Sequence, residues 1–200
     1  MHSSLCTISQ GAYAQAKKKE CKMADEWNPT IKLIEGEVHR YFLRGAYFYA
    51  WGWSDDPVTK TGAVIANPSL EEAIACGVNH FPKGLKAAKE NRDNRDWKLK
   101  HIIHAEPAAI YAAARAGKST EGATMYMPWV PCTDCAKAII DVGIQKMVGH
   151  RAMIMKTPKR WWESTDYALT LLADCGVELF MYDGAIGGVN SLFNGEEWEP

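Results

Sequence analysis

Two short stretches constrain this chain more than any other feature of its sequence: His104-Ala105-Glu106 and Pro131-Cys132-Thr133-Asp134-Cys135. One imidazole and two thiolates supply three ligands of a tetrahedral zinc ion and leave the fourth position for water. Zinc makes hydroxide available near neutral pH, and a carboxylate that does not bind the metal can then move protons. The pattern therefore predicts a zinc site formed by His104, Cys132 and Cys135. Glu106 is then the candidate acid–base catalyst.

The runs that follow both motifs predict helices. Residues 105–116 are apolar and rich in alanine, and residues 136–142 have a similar apolar pattern. Both motifs would then lie at helix N-termini, where the backbone dipole favours a thiolate or a carboxylate.

The same residues allow a second interpretation, a closed structural zinc site with His101 as its fourth ligand. A structural site requires neither Pro131 nor Glu106. In addition, residues 99–103 are expected to be extended, so His101 need not face the metal. The catalytic site is favoured, and the alternative is a zinc-stabilised binding module without turnover.

The composition is that of an ordinary folded chain. Its 200 residues suit one compact domain with extensions, at a formal net charge of −1 and with 47% hydrophobic residues. No apolar run approaches the ~20 residues needed to span a bilayer, and residues 1–22 lack the apolar core of a secretion signal. Met23 offers a second chain start, which makes residues 1–22 a candidate leader. Four other cysteines show no pairing pattern, which favours a reducing, cytoplasmic compartment: Cys6, Cys21, Cys76 and Cys175.

Strands and helices alternate along the chain after an aromatic first helix, predicted over residues 38–53. The predicted strands are 62–66, 73–78, 123–127, 146–152 and 177–182, and a last helix is predicted over 162–175. Such alternation favours a mostly parallel, right-handed α/β layer. The aromatic helix is expected to be buried by core and subunit contacts rather than to stack on bases. Residues 184–200 have no core pattern and are expected to form an extension.

Residues 38–183 resemble the deoxycytidylate (dCMP) deaminase family, within the cytidine deaminase-like superfamily. The paired H-x-E and P-C-x-x-C motifs are themselves the signature of zinc-dependent deaminases of bases and nucleotides. Five segments carry the resemblance in order: 61–65, 77–84, 104–117, 131–144 and 168–178. The chain departs from the family pattern at His80 and Ala108, where the family has Gly and Asn. It also lacks the extra cysteines that hold a second, structural zinc in some members.

The resemblance implies a three-layer α/β/α sandwich around a five-stranded mixed sheet, with one catalytic Zn²⁺ per subunit. It implies hydrolysis of dCMP to dUMP and ammonia. Asn79 would hydrogen-bond the deoxyribose hydroxyl, and the backbone at Ala105 and at Pro131–Cys132 would orient the pyrimidine. The family resemblance also implies a homo-oligomer, a hexamer or a dimer, with dCTP and dTTP as effectors. The predicted organisation is an extension over 1–28, a deaminase domain over 29–183 and a second extension over 184–200.

The residues around the motifs suggest how a nucleotide would be held. Residues 79–84 are too irregular for regular structure and are expected to form a loop at the site. A basic stretch follows over residues 83–100, and most of it is expected to be a solvated face. One or two of its residues, with Lys83 as the candidate, are expected to bind the phosphate of a nucleotide. Trp129 either stacks on the base or only lines the wall of the site.

One further alternative is a deaminase that acts on cytosine or adenine in a polynucleotide. Trp129, the basic stretch and the Trp161-Trp162 pair would supply the stacking platform and the electrostatic track that such an enzyme needs. The balanced overall charge and the five matching segments argue against it. The preferred partner is therefore a small-molecule nucleotide, and nucleic acid is not an expected partner.

Overall fold

The computed structural model describes residues 29, 31–86 and 89–200. The predicted N-terminal extension over 1–28, with Cys6 and Cys21, lies outside these residues. Within the described part of the chain, no helix is long and apolar enough to cross a membrane.

A six-stranded mixed sheet lies at the centre of the described chain. Its strands are β1 (Lys32–Ile34), β2 (Gly62–Ala66), β3 (Ala73–Val78), β4 (Thr124–Tyr126), β5 (Lys146–His150) and β6 (Glu178–Tyr182). The spatial order is β1–β6–β5–β4–β2–β3. The first four in this order are parallel, whereas β2 is antiparallel to both β4 and β3. The sequence predicts five of these strands but not β1, whose three residues are too few to show a period.

Helices cover both faces of the sheet. They are α1 (Glu37–Trp53), α2 (Lys89–Asp93), α3 (Arg95–His101), α4 (Ala105–Arg115), α5 (Thr133–Asp141), α6 (Arg151–Ile154) and α7 (Lys159–Asp174). Helix α1 forms one hydrophobic core with the sheet, and α4, α5 and α7 form the other. Val64 and Ile65, adjacent in β2, belong to cores on opposite faces because successive strand side chains alternate. The predicted three-layer sandwich is confirmed.

At two places the structure has a helix where the sequence predicts extended residues. Residues 99–101 are not extended, because α3 continues to His101. The Asn94 side chain caps this helix by accepting a hydrogen bond from the Trp97 amide at 3.0 Å. The strand predicted over 146–152 ends at His150, where α6 begins directly.

The C-terminal residues form a β-hairpin that packs on the sandwich. Strands β7 (Ser191–Phe193) and β8 (Glu196–Trp198) are antiparallel. Asn194 and Gly195 join them with positive φ angles of 52° and 83°, which is the backbone that a two-residue Asn-Gly hairpin turn requires. Ile186 and Phe193 are buried. The sequence of residues 184–200 shows no core pattern because strands of three residues are too short to display one, yet Ile186 and Phe193 pack into the core.

Gly77 allows helix α4 to approach strand β3 closely. A Cβ atom at this position would lie 2.2 Å from the Ala109 amide nitrogen and 2.5 Å from the Ala105 carbonyl oxygen. A larger residue would push the helix away from the sheet. This contact fixes the first turn of α4, which carries part of the predicted zinc site.

Candidate active site

The three predicted zinc ligands converge at the N-termini of two helices. His104 directly precedes α4, Cys132 directly precedes α5, and Cys135 lies in the first turn of α5. The His104 Nδ1 atom lies 3.6 Å from Cys132 Sγ and 3.4 Å from Cys135 Sγ, and the two sulfur atoms are 3.5 Å apart. Zinc bonds of about 2.3 Å to sulfur and 2.0 Å to nitrogen require ligand separations of about 3.5–3.8 Å in a tetrahedron. This donor set fits zinc.

Contacts among these ligands favour a thiolate at Cys132. The hydrogen bond with Cys135, helped by His104, lowers the pKa of Cys132 to about 4. The hydrogen bond with Cys132 raises the pKa of His104 to about 9. The pKa of Cys135 is raised, first by its hydrogen bond with Cys132 and then by burial. The thiolate at Cys132 lies at a helix N-terminus, where the backbone dipole stabilises it.

Glu106 lies in the first turn of α4, two residues beyond His104, and its side chain is almost completely buried, with the residue 4% exposed. Burial raises the pKa of this carboxyl, and the nearby His104 opposes the shift. A carboxyl with a raised pKa holds a proton more readily than a free carboxyl, which suits an acid–base catalyst. Ala105, immediately before it, is fully buried in the same turn.

A cavity of about 230 Å³ borders the zinc ligands. His104, Glu106 and Cys132 form its metal end. Apolar residues line the adjoining surface: Leu99, Ile102, Met127, Trp129, Val130 and Pro131. Most of the remaining surface is polar, and we use the name polar wall for seven of its residues: Asp56, Thr59, Asn79, Arg95, Lys98, Arg160 and Asn194. The other lining residues are Val58, Thr61, Asp93, Trp161, Ser164 and Thr165. No residue of α1 lines this cavity, so the aromatic helix is no base-stacking platform for it.

Asn79 lines the cavity as predicted, but other protein groups use its whole hydrogen-bonding capacity. Its Oδ1 atom accepts hydrogen bonds from Ser54 Oγ at 2.6 Å and from the Thr61 amide at 2.8 Å. Its Nδ2 atom donates to the Thr59 carbonyl at 2.7 Å and to Asp56 Oδ2 at 3.3 Å. A side-chain amide has two donors and two acceptor sites, so this one is saturated.

Asp56 and Lys98 form a buried ion pair in the polar wall. Lys98 Nζ lies 2.8 and 2.9 Å from the two carboxylate oxygens, and the side chains are only 12% and 6% exposed for Lys98 and Asp56. Asp56 Oδ1 also accepts hydrogen bonds from the amides of Val58 and Thr59, at 2.8 and 3.0 Å. These bonds fix the loop that follows α1.

Trp129 is held in the cavity surface by its own contacts. Its Nε1 atom donates a hydrogen bond to Thr157 Oγ1 at 2.7 Å. Its ring meets Trp161 and Phe193 edge to face, with centroids 6.4 and 5.1 Å apart. These contacts favour the wall-residue interpretation of Trp129. Pro131 lies beside it in the apolar part of the cavity.

Two other candidates lie away from this cavity. Lys83 is exposed in the 82–84 turn and is not among the cavity residues, so its assignment to a phosphate finds no support. His101 stacks on Trp97 with centroids 3.9 Å apart, and its Nδ1 atom lies 2.7 Å from the Trp97 carbonyl. It lies outside the ligand cluster that the described residues form. The closed four-ligand site is therefore not the arrangement of this structure.

A sequence model described as the cytidine and deoxycytidylate deaminase zinc-binding region matches residues 36–150. The match covers more than half of the chain and contains the whole metal end. This chain belongs to the cytidine and deoxycytidylate deaminase family. Its cofactor is zinc, and His104, Cys132 and Cys135 are positioned to bind it.

Named relatives agree with this membership. The deoxycytidylate deaminase of Enterobacteria phage T4 is 44% identical over 94 residues, which cover 46% of this chain and 45% of that protein. An uncharacterized deaminase in the luxG 3′ region of Aliivibrio fischeri is 32% identical over 127 residues, 64% of this chain and 82% of that protein. The chain spans about half the length of the phage relatives that it matches.

The structural comparison establishes the fold. The dCMP deaminase from cyanophage S-TIM5, solved in complex with dCMP and dUMP, matches with a TM-score of 0.58 at 21% identity. The match covers 76% of this chain and 99% of that chain.

Sequence reasoning named Asn79 and placed Arg95 and Lys98 in the basic stretch, but it did not assign Asp56, Thr59 or Asn194 to this deaminase-family cavity. Arg160 and Asn194 lie beyond the matched residues 36–150. Lys98 and Asp56 lie within that range but outside the family motifs. One local signal was present, because Asn194-Gly195 between short apolar runs is a strong hairpin pattern. No local signal pairs Asp56 with Lys98.

Proposed function

We propose that this protein is a zinc-dependent hydrolytic deaminase that converts dCMP to dUMP and ammonia. The burial of Glu106 beside His104 and Cys132, at one end of a cavity, is the observation that carries the proposal. The names of the phage relatives, both deoxycytidylate deaminases, support the choice of substrate.

Glu106 would perform the proton transfers of the reaction. When bound, zinc would supply a water molecule activated near neutral pH. The Glu106 carboxylate would accept a proton from this water and deliver it to N3 of the cytosine ring. The same carboxylate would carry the second proton to the amino group on C4, which leaves as ammonia while C4 gains the oxygen.

The apolar part of the cavity would hold the pyrimidine and exclude other water. Met127, Trp129 and Val130 would contact the ring, and the fixed position of Trp129 would limit the size of the base. Following the family resemblance, the backbone at Ala105 and at Pro131–Cys132 would orient the ring edge. A dry site strengthens the electrostatic interactions on which the proton transfers depend.

Two exposed arginines of the polar wall would bind the phosphate. Arg95 places its guanidinium carbon 6.0 Å from the centre of the Trp161 ring. Arg160 Nη2 donates a hydrogen bond to Asn194 Oδ1 at 3.2 Å, which attaches it to the C-terminal hairpin. Arginine suits phosphate because its planar fork of donors matches two phosphate oxygens.

Ammonia release from a panel of substrates tests the proposal. The panel contains dCMP, CMP, dCTP, deoxycytidine, cytosine and a cytosine-containing DNA oligonucleotide, each with and without a zinc chelator. We expect dCMP to be turned over fastest and the chelator to stop the reaction. Preference for the oligonucleotide would replace this proposal with polynucleotide deamination, and firmly bound zinc without any turnover would favour a binding module.

Glu106→Gln separates catalysis from zinc binding. This variant should keep its zinc and lose about 10²–10⁴-fold in kcat, because it removes the proton carrier but no ligand. Glu72→Gln, at an exposed turn, is the matched control and should keep full activity. Activity of Glu106→Gln within tenfold of wild type would contradict the role of Glu106.

The assembly, effectors and location are further parts of the proposal. The homo-oligomer would use the outer side of α1, where Tyr41, Phe48 and Trp53 are 69%, 57% and 59% exposed. Sedimentation of wild type and a Phe48→Glu variant would test this face. Control by dCTP and dTTP, a cytoplasmic location and the domain limits at 28 and 183 stay predictions.

A further inference from the structure

The resemblance assigns the sugar hydroxyl to Asn79, yet the hydrogen bonds of this residue leave nothing for a ligand. Both of its donors and both of its acceptor sites meet protein groups, while the residue is only 5% exposed. A new bond to a substrate would leave a buried partner unpaired, which is unfavourable. Asn79 therefore acts as a brace that joins Ser54, Asp56 and Thr59.

The brace holds the buried pair of Asp56 and Lys98 against the cavity. Burying an ion pair is expensive, and two apolar residues of similar volume are often at least as stable. Stability alone therefore does not explain a lysine that is 12% exposed at this position. An ammonium group has three N–H donors. In the described part of the chain its hydrogen bonds go to the two oxygens of Asp56, which leaves one donor for a ligand in the cavity.

We propose that Lys98 donates this remaining hydrogen bond to the 3′-hydroxyl of the substrate sugar. Asp56 and Asn79 are positioning residues, because they fix the ammonium group and do not contact the substrate. This inference rests on the proposed function, since it assumes a deoxynucleotide in the cavity.

The charge of the pair favours a neutral hydroxyl over the phosphate as its ligand. Asp56 cancels the charge of Lys98, so the pair attracts an anion weakly but still offers a strong, charge-assisted donor to a neutral oxygen. The two exposed arginines of the polar wall, Arg95 and Arg160, are better placed for a phosphate because they retain access to solvent.

A cycle of two substrates and two proteins tests the inference. The substrates are dCMP and 2′,3′-dideoxycytidine 5′-monophosphate, which lacks only the 3′-hydroxyl, and the proteins are wild type and Lys98→Met. Wild type should prefer dCMP in kcat/KM by about ten- to a hundredfold, the usual range for a hydrogen bond to a charged group. Lys98→Met should reduce this preference to about threefold or less. The preference for dCMP over deoxycytidine should not change.

Control variants separate recognition from folding. Lys100→Met, on the exposed side of the same helix, should leave both preferences unchanged. If Lys98→Met does not fold, Asp56→Asn/Lys98→Met removes both charges and makes the same test. Lys98→Arg, which keeps the charge and donors, should retain part of the preference for dCMP.

Several outcomes would overturn the inference. An unchanged 3′-hydroxyl preference in Lys98→Met would make Lys98 structural, and a selective loss of preference for dCMP over deoxycytidine would make it a phosphate ligand. Calorimetric binding of both nucleotides to Glu106→Gln, with and without Lys98→Met, gives the same ratio without turnover. Discrimination in binding, with no deamination by wild type, would reject the proposed function and retain the role of Lys98.

Discussion

The metal end and the polar wall of the cavity are assembled in different ways. The metal end comes from two contiguous motifs, each at the N-terminus of a helix, so His104 and Glu106 are near neighbours along the chain. The polar wall combines separate segments: the loop after α1, the end of β3, helix α3, the start of α7 and the tip of the C-terminal hairpin. Local sequence therefore specifies the chemistry, and tertiary packing specifies which molecule reaches it.

The largest effect on activity is expected from a substitution that removes a zinc ligand at the metal end. Cys132→Ser should lose zinc, lower the melting temperature and reduce kcat by at least about a thousandfold, because the metal couples to both folding and catalysis. Zinc-to-protein ratio, thermal unfolding and ammonia release measure the three effects. Cys175→Ser, at an exposed free cysteine, is the control. Full zinc occupancy with normal turnover in Cys132→Ser would remove this residue from the metal end.

A smaller effect on activity is expected from a substitution that removes hydrogen bonds within the polar wall. Asn79→Ala leaves the amide of Thr61 and the carbonyl of Thr59 without their side-chain partner, which should reduce the free energy of unfolding by about 2–4 kcal/mol. Zinc should remain bound, and KM for dCMP should rise more than kcat falls. Asn91→Ala, at an exposed site, should change neither. Loss of zinc from Asn79→Ala would show that the wall and the metal end fold as one unit.

The same division explains what the sequence could predict. The zinc ligands, Glu106 and the five long strands follow from spacing and periodicity, which are local properties. Strand β1 was not predicted, because three residues are too few to show a hydrophobic period. It forms by pairing with β6. Lys83 was the candidate for the phosphate because it lies near the motifs in sequence. Asp56 and Lys98, 42 positions apart, meet only in the folded chain.

Asn194 tests how much the C-terminal hairpin contributes to the polar wall. Asn194→Ala should lower stability by about 1–2 kcal/mol, because alanine disfavours a φ of 52°. Asn194→Gly keeps the turn but also removes the acceptor for Arg160. Both variants should therefore raise KM for dCMP several-fold and leave that for deoxycytidine unchanged. An equal rise for both substrates would mean that the hairpin shapes the cavity without positioning a phosphate ligand.

The smallest effect is a pH dependence at the base of this hairpin, outside the cavity. His150 is buried, and its ring stacks on Trp198 of the hairpin with an interplanar angle of 5°. Its Nε2 donates to the Gly184 carbonyl at 3.0 Å, so its Nδ1 accepts from the Tyr47 hydroxyl at 2.8 Å. Burial lowers the pKa of His150 below its ordinary value of 6.5, although Gly184 and Asp183 oppose the shift.

The unfolded chain therefore binds this proton more readily than the folded chain. The contribution of His150 to stability should be complete above pH 6.5, its unfolded pKa, and should decrease as the pH falls further. Urea unfolding between pH 8 and about 5 of wild type and His150→Gln measures it. Acid also releases zinc by protonating its ligands, but it does so in both proteins. The difference between their free energies of unfolding therefore reports on His150. A difference that stays constant with pH would mean that His150 keeps its ordinary pKa, and that acid acts on the metal end alone.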